Sequence, residues 1–206
     1  MARQKIDYGI DLGTTNSAIA RMDNGEITII KSDEATQTDT TPSCVHINKK
    51  QVLFVGQKAF NQLSAEAKKA FKDFQENQKS EGRNTFIEFK RDMGTTIKYE
   101  SSNANRSYSP EEFSSEVLKK LKSFVRGEDV NSIVVTVPAM FKQHQIDATQ
   151  KAAELAGFKY CELLQEPIAA SIAYGLTTKK NNGHWLVFDF GGGTFDAALM
   201  KVSEGI

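Results

Sequence analysis

The chain has 206 residues, with 26 Lys and Arg against 26 Asp and Glu, a charge balance that offers no basic excess for nucleic acid or membrane. No stretch approaches the length of a membrane span, the N-terminal MARQKIDYG lacks the apolar core of a signal peptide, and 39% apolar residues are ordinary for a globular protein with a sizeable core. Cys44 and Cys161 fit neither a disulfide framework nor a zinc site, and His46, His144 and His184 lack metal-ligand spacing; reduced thiols in a cytoplasmic protein are the simplest reading.

Lys5 to Leu12 reads as a strand, followed by a turn at Gly13-Thr14-Thr15-Asn16. Ser17 to Met22 returns, Asp23-Asn24-Gly25 is a hairpin turn of the kind Asn-Gly favours, and Glu26 to Ile30 completes an antiparallel meander. From Lys31 to Ser43 the chain is polar and Thr-rich and is predicted to cross into a peripheral lobe. Cys44 to Ile47 and Val52 to Val55 are short strands. Gly56 opens a helical stretch, and Ser64 to Gln78 carries a narrow apolar stripe that includes Phe71 and Phe74. Ser80-Glu81-Gly82-Arg83-Asn84 breaks it.

Ser109-Pro110-Glu111-Glu112 is a helix start, with Ser as N-cap, Pro in the first turn and Glu112 closing a capping box. Phe113, Val117, Leu118, Leu121, Phe124 and Val125 form its apolar face, and Gly127 ends it. Ile133 to Val137 is apolar except for Thr136, a strand buried on both faces at a sheet centre. Pro138 stops it, Gln143 to Ala156 is a helix closed by Gly157, and Tyr160 to Leu164 is the next strand. Strand, helix and strand at this spacing predict a parallel pair with a crossover. Pro167 opens a helix over Ile168 to Tyr174, closed by Gly175. Thr177 to Gly183 is a polar linker, and Trp185 to Phe188 and Ala197 to Val202 flank a second turn.

Two stretches share one device. Tyr8-Gly9-Ile10-Asp11-Leu12-Gly13-Thr14-Thr15 and Val187-Phe188-Asp189-Phe190-Gly191-Gly192-Gly193-Thr194 each place an Asp two residues before a Gly in a small Thr-containing turn between apolar runs. Glycine leaves nothing between backbone and ligand, and successive amides in such a turn can cup an anion. One such turn is an ordinary hairpin. Two facing each other can clamp an oligophosphate, with Mg²⁺ between the aspartates, because Mg²⁺ takes a few carboxylates with water and phosphate oxygens.

The pair resembles the phosphate loops of the actin, sugar kinase and heat-shock ATPase superfamily. The wording IDLGTTNS with FDFGGGTFD is similar to the 70-kDa heat-shock chaperones of the DnaK type, as are Thr40-Thr41-Pro42-Ser43, Thr136-Val137-Pro138-Ala139-Met140-Phe141 and the run from Glu166-Pro167 to Leu176. The resemblance runs nearly end to end and is weakest between Asn48 and Tyr108. It implies an α/β, actin-like (ribonuclease H-like) ATPase fold: a mixed sheet with flanking helices and a smaller peripheral α/β subdomain, first lobe only. The expected segments are 1–38 and 109–180 for the core, 39–108 for the periphery, and 181–206 for the opening hairpin of a second lobe that this chain lacks. That severed hairpin is expected to be mobile or to pair with another copy of the chain.

The resemblance further implies ATP or ADP with Mg²⁺, and allows K⁺. Asp11 and Asp189 would hold the metal. Gly13, Thr14, Thr15, Asn16, Gly191, Gly192, Gly193 and Thr194 would grip the phosphates. Lys90, at the family's lysine position in Asn84-Thr85 to Lys90-Arg91, would reach the γ-phosphate, with Glu166 and Asp196 positioning water. Glu166 alone would read as a first-turn glutamate stabilised by a helix dipole; beside two Asp–Gly loops it reads as part of the site. The fragment alone is expected to be inactive. In the parent protein, hydrolysis would drive a switch that binds unfolded polypeptide through a later domain, with a J-domain co-chaperone and a nucleotide exchange factor as partners. Two positions depart from the family: Ile146 replaces a linking arginine, and Glu162 replaces a basic residue used with the co-chaperone. The rival readings are a small-molecule kinase, which would need an acceptor pocket with its own base, and an actin-like filament or sensor protein.

Overall fold

The computed structural model describes residues 7–33, 36–76, 82–174, 183–192 and 194–202. Gly193, Gly175 and most of the predicted 177–183 linker lie outside the described residues. The meander forms as expected: β1 (Tyr8–Asp11), β2 (Asn16–Asp23) and β3 (Glu26–Ile30) pair antiparallel in sequence. Asn24 and Gly25, both at positive φ, close the hairpin between β2 and β3. Such φ values match the turn to the right-handed twist of the strands.

The polar stretch after β3 is not all crossover. Thr41–Pro42 forms β4, which pairs with β2 at Asn16 and Ser17. Next come β5 (Cys44–Ile47), β6 (Leu53–Val55), α1 (Gln57–Gln75) and β7 (Thr85–Ile87), with β5 central in a three-stranded antiparallel sheet. Helix α1 begins directly after Gly56, as expected, about two turns ahead of the apolar stripe at Ser64, and ends at Gln75 rather than Gln78. A 3₁₀ turn (Phe89–Asp92) and a hairpin of β8 (Tyr99–Ser101) and β9 (Arg106–Tyr108) lead to α2 (Pro110–Lys122).

The Ser109 capping box is present in full, Ser109 Oγ accepting from the Glu112 amide and the Glu112 carboxylate accepting from the Ser109 amide. The predicted end of α2 is corrected. The helix stops at Lys122, and Phe124 and Val125 lie beyond it, their amides donating to Leu121 and Lys122 carbonyls in a tightened last turn. Phe124 still reaches the core.

β10 (Ser132–Val137), α3 (Gln143–Leu155), β11 (Tyr160–Gln165) and α4 (Glu166–Ala173) complete the main sheet, ordered β11-β10-β1-β2-β3 with β4 on β2. The parallel pairing of β10 with β1 and β11 confirms the crossover. β10 is central, but Val134 and Thr136 are only half-buried, so its burial on both faces is incomplete. β12 (Gly183–Phe190) and β13 (Phe195–Val202) form a separate two-stranded ribbon. It packs on α4, with Leu186, Phe188, Phe190 and Leu199 exposed.

One buried cluster joins the main sheet (Ile10, Ile19, Ile133, Val135) to the small sheet (Val45, Ile47, Phe86) through α2. Phe113 is its hub. Its ring stacks on Phe86 at 4.8 Å and Tyr108 at 4.9 Å, and tilts against Phe89 at 5.5 Å and Tyr99 at 5.7 Å. Cutting Phe113 to Ala empties the junction of four elements. We expect a loss of about 3–5 kcal/mol in urea unfolding, against about 1 kcal/mol for Ser109→Ala, which removes only the α2 cap.

Candidate functional site

The three parallel strands end on one side of the sheet, and the site forms there, in the position usual for open α/β sheets. β1 ends at Asp11, whose Oδ1 accepts from Thr136 Oγ1 on β10 at 2.9 Å. β11 runs without a break into α4, so Glu166 stands at the strand-to-helix corner, followed by Pro167 in the first turn.

Lys90 comes to this point from 76 residues away. Its Nζ donates to Glu166 Oε1 at 2.8 Å, and the two side chains are 7% and 15% exposed. The Lys90 ammonium also lies 5.7 Å from the centre of the Phe141 ring, within cation–π range. The segment carrying Lys90 is fastened at both ends. Glu88 adopts the left-handed conformation (φ 60°) that turns β7 into the 3₁₀ turn. Met93 is buried and accepts from Ser114 Oγ at 3.3 Å, and the Gly94 amide donates to Glu111 Oε1 at 3.1 Å, both on α2. A side chain at Gly94 would strike the His144 carbonyl of α3 at 2.5 Å.

Glu166 has opposing neighbours. Burial pushes its carboxyl above the usual range, the Lys90 ammonium pulls it down, and Asp11 and Asp189 push it up again. Asp189 also lines one cavity with Glu166, so the second Asp–Gly turn lies beside the strand ends that carry the first. The turns also touch: a side chain at Gly192 would meet Thr15 Oγ1 at 2.7 Å. Within the second turn the Gly191 amide donates to the Thr194 carbonyl at 2.9 Å. Asp196 sits opposite Asp189 in register, so both share one face of the ribbon. A cavity of about 530 Å³ lies between α4 and β12, lined by Glu166, Ser171, Tyr174, Trp185, Phe188 and Asp189.

The donor set suits a hard divalent cation. Asp11 and Asp189 are exposed oxygen donors whose charges crowd Glu166, so a cation there relieves repulsion. Among the described residues no group of three or more His, Cys, Asp and Glu side chains could hold a metal directly, which leaves water and phosphate to complete any shell.

Of the predicted site residues, Asp11, Lys90, Glu166 and Asp189 converge, Thr15 meets Gly192, and Asp196 faces Asp189. Gly193 is outside the described residues. Sequence reasoning missed Ser17 and Ser43, both buried behind the first turn. The stretch Thr40-Thr41-Pro42-Ser43 marks Ser43 through its family resemblance, without indicating what it bonds to. Ile146 is half-buried on α3, Glu162 is exposed on β11, and both cysteines are free. No helix among the described residues is long and apolar enough to cross a membrane.

Comparison with known proteins follows the same lines. The family described as Hsp70 protein matches residues 7–206. A chaperone protein dnaK from Thalassiosira pseudonana is 40% identical over 96% of this chain and 34% of its own length. Those from Gracilaria tenuistipitata var. liui and Trieres chinensis are each 41% identical over 96% of the chain and 33% of theirs. The chain spans about a third of the length of these relatives.

The Glu166 carboxyl, raised in the folded protein, gives stability that is complete below its unfolded value of 4.5 and is lost as pH rises through the folded value. Lys90→Met removes the one neighbour that lowers it. The Glu166 titration, followed by carboxyl ¹³C NMR, then moves further up, and the loss of stability with rising pH becomes larger.

Proposed function

The chain belongs to the Hsp70 protein family, and from that premise we propose that it forms the phosphate-gripping lobe of an ATPase whose turnover drives a chaperone's conformational switch. The observation that carries this reading is the meeting of Asp11, Asp189, Lys90 and Glu166 at the carboxyl ends of the parallel strands, with Gly192 against Thr15. The dnaK names of the relatives favour a chaperone over a small-molecule kinase or a filament subunit.

The reaction is hydrolysis of ATP to ADP and phosphate. Asp11 and Asp189 would hold Mg²⁺, largely through water, and the ion would supply positive charge to the phosphates; K⁺ would be a second ion. In the first turn the amides of Thr14 and Asn16 and the hydroxyls of Thr14 and Thr15 grip the phosphates from one side, while the Gly13 amide, taken by Ser17 Oγ, holds the turn in shape. Gly192, Gly193 and Thr194 grip them from the other, with the Gly191 amide closing that turn on the Thr194 carbonyl. Lys90, a compact ammonium on a fixed strap, steadies the terminal phosphate. Glu166 holds Lys90 in place and, with Asp196, orients the attacking water. The rate gain comes from positioning and electrostatics, with no covalent intermediate.

In the whole protein, the partners on this reading are unfolded polypeptides, a J-domain co-chaperone and a nucleotide exchange factor, in a cytoplasmic setting. Ile146 in place of the linking arginine and Glu162 in place of the basic residue used with the co-chaperone are expected to weaken coupling to the peptide domain and stimulation by the co-chaperone, respectively. The actin-like fold and the segment limits 1–38, 39–108, 109–180 and 181–206 belong to the same proposal. So does pairing of the exposed β12–β13 ribbon with a second copy when this chain stands alone, which sedimentation of the chain tests.

In the whole protein carrying this chain, Lys90→Ala is expected to slow single-turnover hydrolysis by about 10²–10³-fold while nucleotide binding persists. Asp11→Ala is expected to remove the Mg²⁺ dependence of binding. Unchanged hydrolysis in Lys90→Ala would overturn the assignment.

A further inference from the structure

Behind the first phosphate turn lies a closed ring of hydrogen bonds that joins it to the residue after β4. The Gly13 amide donates to Ser17 Oγ at 3.1 Å. Ser17 Oγ and Ser43 Oγ are 2.8 Å apart. Ser43 Oγ donates to the Gly13 carbonyl at 2.7 Å. Since the Ser43 hydroxyl has one proton, and spends it on Gly13, Ser17 must donate to Ser43. The direction of every bond is thereby settled: Gly13 amide to Ser17, Ser17 to Ser43, Ser43 to Gly13 carbonyl. Both serines are buried, at 1% and 2% exposure, so no water competes for these protons. A fourth bond runs alongside, from the Ser43 amide to the Thr15 carbonyl at 2.8 Å.

The consequence lies on the other side of the turn. The peptide unit is planar and, in a trans bond, the N–H points opposite to the C=O. There are no cis bonds among the described residues. With the Gly13 and Thr15 carbonyls both drawn toward Ser43, the amides of the same two peptide planes, those of Thr14 and Asn16, are turned away from Ser43. The two peptide planes fixed this way present the Thr14 and Asn16 N–H groups to the side away from Ser43, where an anion can approach them. Gly13 is tight enough for this: a Cβ there would sit 2.0 Å from the Asn16 carbonyl.

We propose that Ser43 is a positioning residue that sets the peptide orientation of the first phosphate turn, its hydroxyl fixing the Thr14 amide and its own amide fixing that of Asn16. Ser43 never touches phosphate. It acts through the turn, and Ser17 completes the ring by occupying the Gly13 amide and supplying a donor to Ser43. The inference rests on the phosphate reading of the turn, and it deepens that reading.

The two halves of the clamp can be separated. Ser43→Ala removes the hydroxyl but keeps the amide. In the ¹⁵N-labelled chain, the Thr14 amide should therefore shift and exchange faster, while Asn16 stays put. Ser17→Ala should move the Gly13 amide and leave Thr14 less affected. Ser115→Ala is the control, a buried serine whose Oγ donates to the Glu112 carbonyl within α2 and takes no part in the ring. Titration with inorganic tripolyphosphate and Mg²⁺ is expected to show binding about 10-fold weaker in Ser43→Ala, and unchanged in Ser115→Ala.

A general loss of thermal stability in Ser43→Ala, matched by Ser115→Ala and without a selective change at Thr14, would overturn the proposal. So would equal tripolyphosphate binding by Ser43→Ala and the unaltered chain. If the unaltered chain binds no tripolyphosphate and yet Ser43→Ala moves Thr14 alone, the peptide-orienting role stands and it is the phosphate reading that fails.

Discussion

Burying a lysine and a glutamate together is costly, because each gives up water that their attraction only partly replaces. The Lys90–Glu166 pair, at 2.8 Å and nearly out of solvent, obliges the rest of the molecule to hold two distant segments in one place. Glu166 needs β11 to end where α4 begins. Lys90 needs β7, the left-handed Glu88, and the anchorage of Met93 and Gly94 on α2. Helix α2 is in turn held by Phe113, whose ring meets aromatic side chains from the small sheet, the 3₁₀ turn and the β8–β9 hairpin. The aromatic hub is thus a support for an electrostatic contact.

Much of this was legible in the chain where local chemistry decides the outcome. Asn24-Gly25 closes its hairpin because positive φ suits those residues, and Ser109 with Glu112 caps α2 because both side chains satisfy backbone groups nearby in sequence. The Asp–Gly turns were visible as a matched pair, but their meeting depends on the separate β12–β13 ribbon packing on α4. Short polar strands were not visible. β4 has two residues, and β8 and β9 have three each, too few for a period to show. Their pairing is set by partners far along the chain. The end of α2 was misread for a related reason: Phe124 and Val125 continue the apolar face, but they do so from a tightened turn past Lys122.

The site follows the same division. Asp11 and Asp189 announce themselves through the glycines that follow. Lys90 is one of two adjacent basic residues in an unremarkable segment, and only resemblance to a known family marked it out. Its burial is a tertiary outcome that no local pattern encodes. Ser43 is less visible still. A serine after a proline in a polar stretch carries no signature of the ring it closes with Ser17 and Gly13, 30 residues away.

The bare Cα of Gly94 has a further meaning. Since a methyl group there would sit only 2.5 Å from the His144 carbonyl oxygen, the strap and the first turn of α3 lie against each other main chain to main chain. Flexible side chains absorb displacement, and backbones do not. Three residues separate Gly94 from Lys90, two in the 3₁₀ turn and the third the buried Met93. The contact therefore bears on accuracy more than on stability. It narrows the thermal wander of a single ammonium to that of the packed helix beneath it, which is the scale on which a positioned charge differs from a merely nearby one.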